Sequence, residues 1–277
     1  MESFQVGAVD VRYTEHGSGS PVVVLHGAGV DHREPEACLE PALAAAGGLR
    51  RIYPDLPGMG QTHAPESVRS ADDVVEVLRG FVDGIAGEEP VLYVGHSAGA
   101  HYARELVDRR PEQAAGLALV CPLLPETRDV PAHRRIAGPG DVGDEDFRSY
   151  FVVQTQEMHD RYQRYVAPGA ALADQDSMER IGERWALSRP PEGQFFDRPT
   201  LLVAGRLDST VGYAATADLL DHYPSATLAI LDGAGHALPH EQPGVLDALI
   251  LDWLGRCRES SATIGAISTV SIDRGDR

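Results

Sequence analysis

The stretch PVLYVGHSAGAHYARELVD, residues 90–108, carries the pattern on which the reading of this chain turns. Pro90 to Val94 is a short apolar run with two valines and a tyrosine, the composition of a strand buried on both faces. Ser97 to Asp108 resumes as a helix. Between them GHSAG, residues 95–99, fits G-x-S-x-G. A serine on so tight a strand-to-helix turn is held in strained backbone geometry, so its neighbours must be nearly free of side chain. The helix that follows aims its N-terminal amides and dipole at whatever the hydroxyl attacks. The five residues alone would equally suit an ordinary Gly/Ser loop. The strand before them and the helix after them favour a nucleophile at Ser97.

Outward from this turn, strands and helices alternate. Phe4 to Glu15 alternates like a half-buried strand or hairpin, and GSGS at residues 17–20 is a turn. Pro21 to Leu25 is a β-branched run that ends on the glycine loop HGAG, residues 26–29. Residues 36–46 read as helix, Arg50 to Pro54 as strand, and residues 71–86 as helix with acids in the first turn. Leu117 to Cys121, Thr200 to Ala204 and Thr227 to Leu231 are further strands, and Gly244 to Leu254 is the last long helix. This order predicts an α/β fold with a mostly parallel sheet covered on both faces. Between Pro122 and Pro199 the pattern changes to charge-rich helical segments at 144–165 and 176–187, too long for a bare loop. The domain reading is therefore a core of residues 1–121 and 197–259 with a helical cap at 122–196. Residues 260–277 follow as a weakly patterned tail, expected to be mobile.

A serine hydroxyl needs a base to take its proton, and the base needs an acid to fix its tautomer. Of eleven histidines, His236 stands in GAGH just after the last expected strand. Asp208 stands in GRLD just beyond another. Glu126 or Asp129, after the strand ending at Cys121, would be the replacement acid. The oxyanion of a tetrahedral intermediate calls for two preorganised amides, here those of Ala98, after the nucleophile, and Ala28, in the HGAG loop. His26, His96, Tyr150 and Trp185 are the candidate substrate contacts. For Tyr150, Phe151, Tyr162, Tyr165 and Trp185, packing the cap onto the sheet is the simpler role and lining an apolar cavity the alternative. Arg134 and Arg135 are read first as a solvated pair, with a grip on a substrate carboxylate as the alternative. Asp31 and His32 lie near enough in sequence to reach the same site.

The composition narrows the partners. The chain has 277 residues and a formal net charge of −18, and a surface so acidic repels phosphate backbones and anionic membranes, so neither nucleic acid nor membrane is expected. Every basic side chain other than histidine is Arg, and Lys and Asn do not occur. That removes any mechanism built on a lysine amine. Cys38, Cys121 and Cys257 lie far apart, which fits neither a disulfide framework nor a metal-ligand spacing. No basic and then apolar leader opens the chain, so a signal peptide is not expected and a cytoplasmic location is.

The combined motifs resemble the α/β-hydrolase superfamily over residues 4–256, with DLPGMG at 55–60 similar to its D-x-P-G-x-G loop and GH at 235–236 followed by EQP at 241–243 similar to its histidine segment. The chain order Ser, Asp, His is the one such enzymes use. The resemblance implies an eight-stranded mostly parallel sheet, a helical cap, no metal or organic cofactor, and a small-molecule substrate. Departures narrow it further. Dehalogenases and epoxide hydrolases of this fold use an Asp nucleophile, where this chain has Ser97, and plant-type hydroxynitrile lyases need the lysine it lacks. Ring-cleavage hydrolases usually carry Asn at the position of His96, and cofactor-free haloperoxidases Phe there and Met at the position of Ala98. What remains is hydrolysis of a carboxylic ester, lactone or thioester through an acyl-serine. The alternatives are cyclisation, acyl transfer or C–C cleavage by the same triad, and last a receptor role, as in hormone receptors that have lost a triad member.

Overall fold

The computed structural model describes residues 1–125, 127, 129–188 and 195–272, the last ten by backbone. The eight strands are β1 (Glu2–Val6), β2 (Val9–His16), β3 (Ser20–Leu25), β4 (Leu49–Pro54), β5 (Val91–His96), β6 (Ala114–Val120), β7 (Thr200–Gly205) and β8 (Ala226–Leu231). They form one sheet in the order β1-β2-β4-β3-β5-β6-β7-β8. The β1–β2 hairpin turns at Gly7, whose φ of 55° suits a residue without Cβ. β2 also pairs antiparallel with β4, and every other pairing is parallel. The expected α/β class and the eight strands are therefore observed.

Period-two alternation divides the sheet between two cores. Val23, Leu25, Tyr93, Leu117, Leu119 and Leu202 face one side, where they meet Val75, Leu78 and Phe81 of α2 (Ala71–Ala86) and Ala103 and Leu106 of α3 (Ala98–Arg109). Val22, Val24, Leu92, Val94, Val120 and Val203 face the other, against Cys38, Leu39 and Leu43 of α1 (Arg33–Ala46) and Ile250 and Trp253 of the last helix. The three cysteines are all buried and unpaired. β3 has β4 on one side and β5 on the other, so the chain reverses its winding direction there. Crevices at the C-terminal strand ends of such switch points are where α/β sheets bind ligands.

The segment between β6 and β7 is helical, as its pattern predicts, but the expected 144–165 helix is broken. α4 (Glu145–Tyr150) and α5 (Gln156–Tyr165) flank an extended stretch, followed by α6 (Ala167–Ala170) and α7 (Gln175–Gly182). Asp144 and Thr155 each cap the next helix by accepting an amide bond, which accounts for the two separate starts. Phe147, Phe151, Met158, Tyr162 and Val166 form a third core that closes on Val30 and Ala237, residues of the loops beyond β3 and β8. Two short helices, α8 (Ala214–Asp218) and α9 (Leu238–Glu241), precede α10 (Pro243–Ile272). The helix does not end at residue 260, where the weakly patterned tail begins. Nothing after Pro243 removes a backbone donor, so α10 propagates to Ile272. No helix among the described residues is long and apolar enough to cross a membrane.

Candidate active site

β5 delivers Ser97 to the C-terminal edge of the sheet in a conformation only a special turn tolerates, φ 54° and ψ −117°. The flanking glycines are required by close backbone approach. A Cβ on Gly95 would lie 2.4 Å from the carbonyl oxygen of Gly99, and one on Gly99 would lie 2.2 Å from that of Leu25. The backbone is held by Ser97 N–H donating to Val120 O at 3.0 Å, while Ser97 O accepts from Ala100 and His101. α3 begins at Ala98, whose amide belongs to the first turn that no intrahelical carbonyl serves.

Two further loops converge on the hydroxyl. The loop after β8 presents His236, and the loop after β7 presents Asp208. His236 Nε2 lies 2.9 Å from Ser97 Oγ, and His236 Nδ1 lies 2.8 Å from Asp208 Oδ2. An ionised carboxylate only accepts, so Nδ1 carries the proton and Nε2 faces Oγ with its lone pair. Burial works against ionisation of Asp208. The contact with His236 and the amides of Val211 and Thr210, both donated to Oδ1, outweigh it, so the carboxyl titrates below its ordinary range. Asp208, rather than the described Asp129, is thus the acid brought to His236, and Glu126 lies outside the described residues.

A cavity of about 220 Å³ opens onto this group, lined among others by Ala28, Glu34, His96, Ser97, Tyr150 and His236. Of the four candidate substrate contacts, His96 and Tyr150 border it and two are corrected. His26 lies fully buried under the loop: Nδ1 contacts Gly27 O at 2.7 Å and Nε2 accepts the Leu56 amide at 2.9 Å, tying the HGAG loop to the DLPGMG loop. Trp185 is 37% exposed and packs on His101 at 5.8 Å between ring centres, away from the cavity. It follows the end of α7 at Gly182 and lies against α3, where its carbonyl is 3.1 Å from His101 Nε2. Phe151 packs in the third core, and Tyr165 lines a separate surface groove beside α1. His32 and Asp31 are engaged elsewhere: His32 Nδ1 lies 2.7 Å from Asp55 Oδ1, and Asp31 pairs with Arg33.

Three contributors escaped sequence reasoning. Glu34 reaches the cavity because α1 begins at Arg33, ahead of the expected start. His240 and Glu241 sit on α9, a helix too short to announce itself. Partly buried Glu241 gathers three amides, accepting from Val152 and Val153 on Oε1 and from Gly235 on Oε2, at 2.7 to 3.0 Å, and so joins the inserted segment to the histidine loop. The motif EQP at 241–243 was the available signal. Among the described residues, two clusters have donor atoms close enough to hold a cation, His96–Cys121–His236 and Asp31–His32–Asp55. In the first, both His236 nitrogens are committed and burial holds the Cys121 thiol protonated. In the second, a cation would have to displace Arg33.

The model for the alpha/beta hydrolase family matches residues 22–249. The chain belongs to this family. Among its relatives, Protein ABHD14A of Danio rerio is 23% identical over 85% of this chain, which spans 64% of that protein. A 2-hydroxy-6-oxononadienedioate/2-hydroxy-6-oxononatrienedioate hydrolase of Pseudomonas putida is 26% identical, covering 89% of this chain and 92% of its own. An alpha/beta superfamily hydrolase from Oenococcus oeni PSU-1 superposes with a TM-score of 0.84 at 26% identity, covering 93% of this chain and all of that one. Membership and relatives together support hydrolase activity.

Proposed function

We propose that the protein is a serine hydrolase that cleaves a small carboxylic ester, lactone or thioester through an acyl intermediate on Ser97. The observation that carries this reading is the chain of contacts Ser97 Oγ–His236–Asp208 at 2.9 and 2.8 Å, with Ser97 at positive φ. As Oγ attacks the carbonyl carbon, its proton passes to His236 Nε2, and Asp208 stabilises the imidazolium. The amides of Ala28 and Ala98 are assigned to the oxyanion. His236 returns the proton to the leaving oxygen or sulfur as the bond to carbon breaks. It then deprotonates the water that releases the acid. The inserted helices serve as the cap of the pocket. Carbon–carbon hydrolysis, suggested by the name of the Pseudomonas putida relative, would use the same residues. A cavity of about 220 Å³ lies below the ~300–1,000 Å³ of drug-sized sites and favours a short acyl group over a long dienoate.

The test pairs p-nitrophenyl acetate and butyrate turnover with fluorophosphonate labelling, for the parent and Ser97→Ala. Labelling and turnover that both vanish in the variant, with an unchanged melting temperature, are expected. Equal turnover by the variant would exclude Ser97 as the nucleophile.

A further inference from the structure

Asp208 orients the side chain of His236, but a base is only as well placed as its main chain. β8 ends at Leu231, so residues 232–237 leave the sheet as a loop. In that loop Leu207 N–H donates to Ala234 O at 2.9 Å, and Glu241 accepts the Gly235 amide. The carbonyl of His236 itself has one hydrogen-bond partner among the described residues, His96 Nε2 at 3.1 Å.

His96 closes β5, where its backbone pairs with β6 opposite Val120. It is buried, and burial pushes its imidazole down to about 4, so the ring is neutral with a single proton. A carbonyl only accepts, which places that proton on Nε2. The bare Nδ1 is 3.9 Å from Glu34 Oε2, beyond hydrogen-bond reach, so no second acceptor competes for the proton. The two imidazoles lie 5.1 Å apart, tilted by 35°. The one donor of the His96 ring is thus spent on the base. Ser97 follows His96 directly and is fixed by its own bond to Val120. The His96–His236 bond therefore joins the strand that carries the nucleophile to the main chain of the base.

We propose that His96 is a positioning residue whose Nε2–H, bound to the carbonyl of His236, sets the distance between the base and Ser97 for both proton transfers. This assignment rests on the acyl-Ser97 reading above. It moves His96 from contact with the substrate to action through His236.

The test measures kcat and KM for p-nitrophenyl acetate and butyrate in the parent, His96→Leu, His96→Asn and His96→Gln. The rate of fluorophosphonate labelling and the melting temperature are followed alongside. Leu removes the donor. Asn keeps an amide but places it near the position of Nδ1, short of the carbonyl, whereas Gln reaches to the position of Nε2. Acylation and deacylation both pass a proton through His236 Nε2, so they should slow together. In Leu and Asn, kcat for both esters should fall by about tenfold to a hundredfold at unchanged KM, the scale of a misplacement of up to about 1 Å. Labelling should slow by a similar factor, and Gln should restore both rates to within about threefold of the parent. The Asn and Gln pair is matched in polarity, so misfolding of the Leu variant leaves the proposal open to refutation. A purely structural role would lower the melting temperature without the split between kcat and KM and without rescue by Gln. A substrate contact would change KM, or affect acetate and butyrate unequally. Either pattern, or a folded Asn variant with the kcat of the parent, would overturn the proposal. No ester turnover by the parent, with labelling that Leu and Asn slow and Gln restores, would sink the hydrolytic reading and leave the positioning role standing.

Discussion

Replacing Asp208 with Asn puts the proposed division of labour under the most direct strain. The carboxylate splits its duties: Oδ1 accepts the amides of Thr210 and Val211 at 2.9 and 3.0 Å, and Oδ2 faces His236 Nδ1 at 2.8 Å. An asparagine must keep its oxygen on the two amides, because the reverse orientation would oppose its NH2 to two N–H groups, that of Val211 buried, at about 1–3 kcal/mol each. Its NH2 is then aimed at His236 Nδ1, which has to become the acceptor. The proton moves to Nε2 and points at Ser97 Oγ, so the ring can no longer take the serine proton. Restoring the productive tautomer means losing one hydrogen bond and facing two donors, roughly 3–5 kcal/mol together. At about 1.4 kcal/mol per decade that is two to four orders of magnitude in rate. Loss of the anion beneath the imidazolium takes the total toward ~10⁴. The assay is single-turnover hydrolysis of p-nitrophenyl acetate, with the melting temperature as control. A folded Asp208→Asn enzyme within tenfold of the parent would refute the tautomer argument and, with it, Asp208 as the orienting acid.

Glu241→Gln should lower both stability and turnover. One Gln oxygen can keep Val152 and Val153, but its NH2 then meets the Gly235 amide, leaving a buried donor unpaired beside His236. About 1–3 kcal/mol and a several-fold loss in kcat are expected, read by urea unfolding and ester turnover, and unchanged values in both would remove Glu241 as a positioning residue. Asp108, on α3, bears on pH instead. Burial raises its carboxyl to about 6, with Arg104 pulling it down, Glu105 pushing it up and Oδ2 unpaired. The folded state therefore holds this proton more tightly than the unfolded chain, and stability falls as pH rises from about 4 through about 6. Asp108→Asn should recover up to about 3 kcal/mol at pH 7 and nothing at pH 3.5, measured by melting temperature across that range. An equal shift at both pH values would contradict the assignment.

What was legible in the sequence followed from local constraints. β5 with its GHSAG turn, and the glycine loop after β3, are short stretches whose conformation is dictated by their own residues. A G-x-S-x-G turn needs its glycines because the backbone of the next helix passes 2.4 Å from where a Cβ would sit. Continuous apolar runs in β3, β5 and β7 announced a sheet covered on both faces, and Asp208 and His236 were found because each follows an expected strand, β7 and β8. What was hidden depends on contacts between distant segments. His26 and His96 look alike in sequence, each a histidine at a strand end beside a glycine. One is consumed by the Leu56 amide 30 residues away, and the other borders the cavity. Trp185 and Tyr150 are both aromatics of the same insertion, yet only the helix break after Tyr150 turns that side chain inward to Glu34. The length of α10 was missed because weak patterning argues against starting a helix, not against extending one.

Three carboxylates that hold the loops around the site follow a common rule. Asp55 accepts the amides of His32 and Gln61 on different oxygens, holding the DLPGMG loop beneath the glycine loop. Asp208 accepts two amides of its own loop, and Glu241 accepts three from two segments. Each oxygen of these three is occupied, and each backbone donor so bound would be costly to bury without it. Loops at a strand edge cannot be held by packing alone, because they carry the polar groups that packing excludes. An anion can satisfy several amides at once, and this arrangement fixes the loops after β3, β7 and β8 together with the DLPGMG loop that supports the first of them. Glu34 differs: through Oε1 it binds side chains of two other segments, Tyr150 of the insertion and His240 of α9, and so ties helices together instead of shaping a loop.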